Sequence, residues 1–302
     1  MSKHSIFKSV SPLVTYISEP ENPASVVIRD QPEGTISNAR DLGGMPIGDD
    51  KMIAYNKFVR GGRLHKLNEK GEKIIRDYGI TTVIDLRMDE ECRDKPDKQI
   101  KGVEYVRIPL VCTATAGITH GKNMAKIMFR ESRRIKNEFA NVDEYMASVY
   151  ENILFSDGTR NALRLFFEKI FNAKGCVYFH CAGGKDRAGL CAMLIEFLLG
   201  VDEESMVYDY MYSKKSGKAK RHWSKFGLTV LPFPRRFRAI LFGMMNAKEN
   251  YIKSAIESIN SRYGGIDNYF ITGLGISEET IKNFKSSCIV PRACPIEKSY
   301  KK

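Results

Sequence analysis

No stretch of this chain is long and apolar enough to span a bilayer as a helix. Residues 1–16 contain neither a long apolar run nor a small-residue cleavage site, so no secretory leader is read there. Export by a route without such a leader stays open. Cysteine is sparse and unpatterned. The seven are Cys92, Cys112, Cys176, Cys181, Cys191, Cys288 and Cys294, an odd count that forbids complete internal pairing. No C-x-x-C pair occurs, and no His/Cys cluster has zinc spacing. A disulfide framework and a structural zinc site are therefore not expected. This usage suits a reducing compartment, and the chain is expected to be soluble and cytoplasmic. Tryptophan occurs once, as Trp223, with no aspartate beside it. Internal repeats and low-complexity linkers are also missing.

What is present is charge and alternation. Over 302 residues, 48 Lys and Arg against 36 Asp and Glu leave a formal charge of +12. That excess suits an anionic partner or substrate, although it also serves general solubility. The length accommodates one large core. Residues 1–36 hold short apolar pieces broken by Pro and Gly and read as an N-terminal arm. A hairpin is expected over 45–60, turning at Gly48-Asp49-Asp50. The spacing predicts a helix over 68–78, stopped by Gly79. Strands are expected over 80–86, 103–110 and 176–179, and helices over 143–154 and 160–171. Residues 188–199 are apolar on almost every side, the mark of a central buried helix. Residues 201–285 read as mostly helical. Segments 113–142 and 205–245 read as insertions, either a lid or plain surface additions. Strands alternating with helices give an α/β class, a central mixed sheet flanked by helices, with 1–302 as a single domain.

The chemistry concentrates in one segment, Phe179-His180-Cys181-Ala182-Gly183-Gly184-Lys185-Asp186-Arg187-Ala188-Gly189. It sits between a short strand and the long apolar helix. Gly183 and Gly184 let the backbone curl, with positive φ where needed. The curled N–H groups of Ala182, Gly183, Gly184 and Lys185 then form an anion nest. The helix start adds its own unpaired N–H groups and positive dipole end. Arg187 can grip two phosphate oxygens at once. The same positive field favours the thiolate of Cys181, the form that attacks phosphorus. His180 can fix the loop, and Lys185 adds a second cation. Asp186 is the nearest carboxyl group, able to protonate a leaving oxygen and then activate water. Among the seven cysteines only Cys181 has an arginine at this spacing.

The loop from His180 to Gly189 resembles the phosphate loop of the protein tyrosine phosphatase superfamily. More narrowly it resembles the bacterial, fungal and protozoan group with an H-C-x-x-G-K-D-R loop, which includes secreted phosphatases of Mycobacterium and Listeria pathogens. Asn38-Ala39-Arg40-Asp41-Leu42-Gly43-Gly44 resembles that group's N-F-R-D-L-G-G segment, with Ala39 in place of the aromatic. Val59-Arg60-Gly61-Gly62-Arg63-Leu64 is similar to its R-S-x-x-L stretch. Val83-Ile84-Asp85-Leu86-Arg87, with Glu90 and Glu91 after it, is similar to its V-I-D-L-R-x-x-x-E strand end. Tyr263-Gly264-Gly265 through Tyr269, then Leu274-Gly275-Ile276, is similar to its C-terminal helical segment. The resemblance runs over about residues 36–288.

It implies a cysteine-phosphatase fold and hydrolysis of phosphate monoesters through a phosphocysteine, without metal or cofactor. Cys181 would be the nucleophile, Arg187 the phosphate clamp and Asp186 the acid/base. Lys185 and Asp186 are linked in that group to broad specificity, covering phosphotyrosine, phosphoserine or phosphothreonine, and phosphoinositides. Ala188 departs from the group's usual Ser or Thr, which implies slower breakdown of the phosphoenzyme. An inositol-phosphate phosphatase, a weakly catalytic phospho-ligand binding module and a rhodanese-like sulfur transferase are the competing readings.

Other residues carry plainer expectations. Asp85 and Arg87 are read as an ion pair holding the loop, with a second acid as the alternative. Arg40 and Asp41 are read as turn braces, and Glu90 and Glu91 as a solvated helix start. Lys214, Lys215, Lys218, Lys220, Arg221 and Lys225, then Arg235, Arg236 and Arg238, form a basic run that either meets an anionic membrane surface or is simply solvated. Arg130, Arg133 and Arg134 lie in the first insertion. His120 and His222 are read as surface residues. No nucleic-acid partner is expected, because no recognised fold or stacking pattern accompanies the charge. Cys176 or Cys191 could protect Cys181 as a disulfide if geometry allowed.

Overall fold

Two short runs, β5 (Ile80–Asp85) and β7 (Cys176–His180), form the middle of the sheet. Apart from Thr81, their β-branched and aromatic side chains are buried on both faces, which a central parallel strand requires. The chain is described here by a computed structural model covering residues 36–110, 138–216 and 246–292, with backbone alone for 214–216. The five-stranded sheet has the order β1–β4–β7–β5–β6, where β1 is Arg40–Asp41, β4 Phe58–Gly61 and β6 Glu104–Arg107. β1 runs antiparallel to β4, and the other four strands are mutually parallel. Gly61, Asp85 and His180 are registered on one another, so β4, β5 and β7 end together at one edge. Ligands bind at that edge in open α/β sheets.

One face of the sheet is covered by α1 (Glu69–Asp77), whose Ile74 and Ile75 join Val59, Ile80, Val83 and Tyr178 in a small apolar cluster. Asn68 caps α1 through its side chain, and Gly79 leaves it with φ of 72°. The other face carries the main core. Its centre is α5 (Arg187–Leu199), where every residue except Phe197 is buried. Around it stand α3 (Val142–Phe155), α4 (Asp157–Phe171), α6 (Glu203–Ser216) and α7 (Glu249–Tyr263). A short α2 (Asp89–Asp94) follows β5. A stretch at Ile266–Asn268 runs into a π-helical turn, Tyr269–Gly273, before α8 (Glu278–Cys288).

The α/β class, the central mixed sheet and the buried helix agree with the sequence reading. The hairpin is shorter than expected. β2 (Pro46–Ile47) and β3 (Lys51–Ile53) pair antiparallel, and β8 (Ile289–Pro291) completes a second, three-stranded sheet with them. Asn56, at φ of 60°, turns the chain away, and Phe58–Gly61 enters the main sheet instead. Side-chain alternation cannot separate these outcomes, because β4 is buried along its whole length. Among the described residues no helix is long and apolar enough to cross a membrane. Most of 113–142 and 205–245, with the basic run beyond Lys215 and residues 1–35, lies outside the described residues.

Candidate active site

The loop between β7 and α5 is held open from outside. Asn38, itself at φ of 55°, donates from Nδ2 to the carbonyls of Gly183 and Gly184, both at 3.0 Å. Arg60 donates from Nη2 to the carbonyls of Gly184 (3.0 Å) and Lys185 (3.1 Å). Three successive carbonyls therefore face out of the loop. In trans peptides the N–H points opposite to its own C=O, so the N–H groups of Gly184, Lys185 and Asp186 face inward. That is the electropositive concavity an oxyanion requires. Gly184 has φ of 67°, and a Cβ there would lie 2.5 Å from Gly61 backbone atoms. Only glycine satisfies both conditions. Gly183 does not use a positive φ, and a Cβ there would meet nothing within 4 Å. Half of the expected glycine requirement is thus absent.

Cys181 is buried at the mouth of this loop, 4% exposed. Arg187 starts α5 and is buried with it. Its guanidinium makes a fork with Glu91: Nη1 donates to Oε2 at 2.7 Å and Nη2 to Oε1 at 2.8 Å. Nη1 also donates to the Leu86 carbonyl at 3.3 Å. Burial opposes the Arg187 charge, but the Glu91 fork and the neighbouring Cys181 outweigh it and raise its pKa. Glu91 corrects the sequence reading. It is not part of a solvated helix start: it is buried, and its Oε2 also accepts from the Met88 N–H at 3.0 Å. Glu90 is exposed and pairs with Arg93. The two adjacent glutamates differ only in which side of α2 they occupy.

Asp186 is 24% exposed and held by tyrosines. Tyr150 Oη donates to its Oδ1 at 2.7 Å, and Tyr210 Oη lies 2.7 Å from Tyr150 Oη. Burial pushes the pKa of both phenols well up, so Tyr150 keeps its proton for this bond. Lys185 Nζ stands 3.4 Å from the same Oδ1 and donates to the Asn246 carbonyl at 3.2 Å. Nothing in the sequence singled out Tyr150 or Tyr210. They occupy ordinary apolar positions of α3 and α6, and only the packing brings their hydroxyls to Asp186.

Asp85 and Arg87 form the expected pair. Arg87 Nη2 bridges Asp85 Oδ2 and Asp97 Oδ2, each at 2.7 Å. His180 Nδ1 donates to the Cys181 carbonyl at 3.2 Å, and its Nε2 lies 3.0 Å from Asp97. Burial acts to raise the Asp85 carboxyl, yet His180 and Arg87 outweigh it and hold its pKa at about 2. Asp85, Asp97 and His180 are near enough to share a metal ion, but the Arg87 guanidinium already occupies the cationic position between the two carboxylates. Arg40 lies behind the loop, where its Nε donates to Asp209 at 2.5 Å. Asp41 is elsewhere: it accepts from the N–H groups of Gly43 and Asn56, both at 2.8 Å, and from Tyr78 Oη. Ala188 is fully buried one residue into α5. Cys92, Cys176, Cys181, Cys191 and Cys288 are free thiols. Burial raises the pKa of Cys176 and Cys191, and burial with Asp85 pushes Cys92 up to about 12.

Residues 33–289 match the sequence profile of the tyrosine phosphatase family. The chain belongs to that family. Three relatives are each 24% identical to it. One is a Cupriavidus necator protein named provisionally as a tyrosine-protein phosphatase, aligned over 85% of this chain and 89% of its own. Another is the triple specificity protein phosphatase PtpB of Mycobacterium tuberculosis, over 76% and 89%. A tyrosine-protein phosphatase of Nostoc commune aligns over 77% and 74%. The protein is thus a cysteine-based tyrosine phosphatase, and phosphorylated molecules are its substrates. Three residues of the phosphatase that the loop motif does not include make contacts here: Asn38 and Arg60 on the loop carbonyls, and Glu91 on Arg187.

Proposed function

We propose that this phosphatase transfers the phosphoryl group to Cys181, clamped by Arg187, and releases it by water activated at Asp186. The observation that carries this reading is the fork between Arg187 and Glu91 beside a loop whose carbonyls are tied outward. An incoming phosphate would meet inward N–H groups, the helix start and an arginine fixed in one orientation. The Cys181 sulfur would attack phosphorus as the ester oxygen leaves. Asp186, held through Oδ1 by Tyr150, would give that oxygen a proton from Oδ2 and then take one from water. Ala188 lacks the hydroxyl that would steady the departing thiolate, so phosphoenzyme breakdown is the slow step.

Phosphotyrosine is the first substrate of this reading. Extension to phosphoserine, phosphothreonine and phosphoinositides is supported by Lys185 in the loop and by the triple specificity for which the M. tuberculosis relative is named. The same reading includes contact with an anionic membrane, which the net charge of +12 suits, and a cytoplasmic location. The second is supported by the five free thiols among the described residues.

The test is phosphate release from a phosphotyrosyl peptide and a soluble phosphoinositide, in EDTA, by wild type and Cys181→Ser. Loss of release by at least about 10³-fold in the variant is expected, with a wild-type burst of product equal to the enzyme concentration. Unchanged release from Cys181→Ser sinks the cysteine mechanism. Tight phosphopeptide binding by wild type without any release would favour the binding-module reading, which Ala188 supports.

A further inference from the structure

Every other arginine around the loop has a carboxylate. Arg187 has Glu91; Arg87 has Asp85 and Asp97; Arg40 and Arg60 share Asp209. Arg63 has none within ion-pair distance among the described residues. It follows the end of β4, where Gly61 is registered on His180, the residue before Cys181. A Cβ on the adjoining Gly62 would lie 3.7 Å from the Ala182 carbonyl, so the chain passes directly beside the phosphate loop. The Leu64 N–H is anchored to Asp97 Oδ1 at 2.6 Å, which ties this backbone to the Arg87 network.

The Arg63 side chain is only partly exposed, and it lies within electrostatic reach of Cys181, Glu91, Asp97 and Arg87. Burial and the like charge of Arg87 lower its pKa, against the opposing pull of Glu91, Asp97 and Cys181. Its Nε donates to His65 Nδ1 at 3.2 Å. Burial, then Arg63 itself, brings the pKa of His65 down to about 4, so a neutral ring offers that lone pair at physiological pH. The imidazole fixes the guanidinium by Nε, and among the described residues both terminal nitrogens are left for a bidentate partner.

We infer that Arg63 is a specificity-determining residue that binds a second anionic group of the substrate, next to the phosphoryl group held by the loop. This rests on the reading of Cys181 and Arg187 as the phosphoryl site. The substrate class is a phosphotyrosyl protein segment with a carboxylate or second phosphate beside the phosphotyrosine. A peptide is favoured because the family acts on phosphotyrosine and Arg63 hangs from a strand end at the loop's side. A single unpaired guanidinium there offers one anion contact, as one flanking acidic residue would use.

The experiment compares kcat/KM for two phosphotyrosyl peptides, flanked by Asp-Glu or by Ala-Ala, and for a soluble phosphatidylinositol bisphosphate. Wild type, Arg63→Ala, Arg63→Glu and Arg63→Lys are used. Wild type should prefer the acidic peptide by about tenfold, mostly through KM, with the ratio shrinking as salt rises. Arg63→Ala should bring the ratio to about 1, Arg63→Glu should invert it, and Arg63→Lys should keep part of it. A ratio unmoved by Arg63→Glu overturns the inference. Equal loss on both peptides in Arg63→Ala does so too, because it indicates a structural role. A change confined to the bisphosphate lipid overturns the peptide assignment. Cys181→Ser, run in parallel, separates the two levels: residual turnover there defeats the cysteine mechanism, whereas an unmoved ratio with Cys181-dependent turnover defeats only the Arg63 assignment.

Discussion

Behind the loop, Arg40 and Arg60 share the carboxylate of Asp209; in front of it, Arg187 and Arg87 have Glu91, Asp85 and Asp97 between them. The rear cluster is sealed. Arg40, Arg60, Asp209 and the nearby Glu196 are all buried, and both Glu196 oxygens lack a hydrogen-bond partner among the described residues. Burial raises the Glu196 pKa well above the ordinary carboxylate range. Burial acts likewise on Asp209, but the two arginines outweigh it and hold the pKa at about 2. Two cations therefore face one ionised acid at the rear, and the Arg60 hydrogen bonds to loop carbonyls use part of the excess charge. At the front, Glu91 holds both terminal nitrogens of Arg187, while Asp85, Asp97 and the Lys95 carbonyl take up the guanidinium of Arg87. The rear sets the loop's shape, and the front sets its chemistry.

Removing the rear anion should have the largest effect on stability. Asp209→Asn leaves two buried guanidinium groups without a charge partner, at a cost of about 3–5 kcal/mol. Urea unfolding should show this as a lower midpoint at unchanged slope. A loss under about 1 kcal/mol would mean that the rear cluster does not brace the fold. Glu91→Gln should act the other way round. Its amide keeps one hydrogen bond to Arg187 but loses the fork, so kcat/KM should fall by about 10²-fold while the unfolding midpoint moves less than in Asp209→Asn. If stability fell as far and activity did not, the division between rear and front would be wrong.

The smallest effect expected is at Glu196, and its size depends on pH. A carboxyl whose folded pKa is raised favours the native state below its unfolded pKa and loses that contribution as pH rises toward the folded value. Glu196→Gln removes this loss, so the variant should melt higher than wild type at pH 8, by about 2 °C or more, with the gap closing near pH 4. Asp209 and Asp85 run in the opposite sense. Their folded values near 2 give stability that is present above about pH 4 and lost as pH falls through about 2. A gap for Glu196→Gln that widened toward acid would show Glu196 to be ionised in the fold.

The loop was legible because its chemistry is local. Cys181, Arg187 and the glycines are spaced by a strand–loop–helix junction, and that junction can be read from seven consecutive residues. The partners were less so. Glu91 and Glu90 are indistinguishable in sequence, and burial of one depends on how α2 docks under Leu86 and Arg187. Tyr150 and Tyr210 read as core aromatics, which they also are. Arg60 and Asp209 are 149 positions apart, and no local pattern links them.

The sequence by itself determined the class of fold, the buried helix α5 and the strand–loop–helix junction that carries Cys181 and Arg187, because periodicity and short-range spacing carry that information. The tertiary structure decided which carboxylate faces which arginine. An ion pair is specified by the meeting of surfaces distant in the chain, and desolvation there separates a brace such as Asp209 from a charge such as Arg63, which has no counter-ion among the described residues.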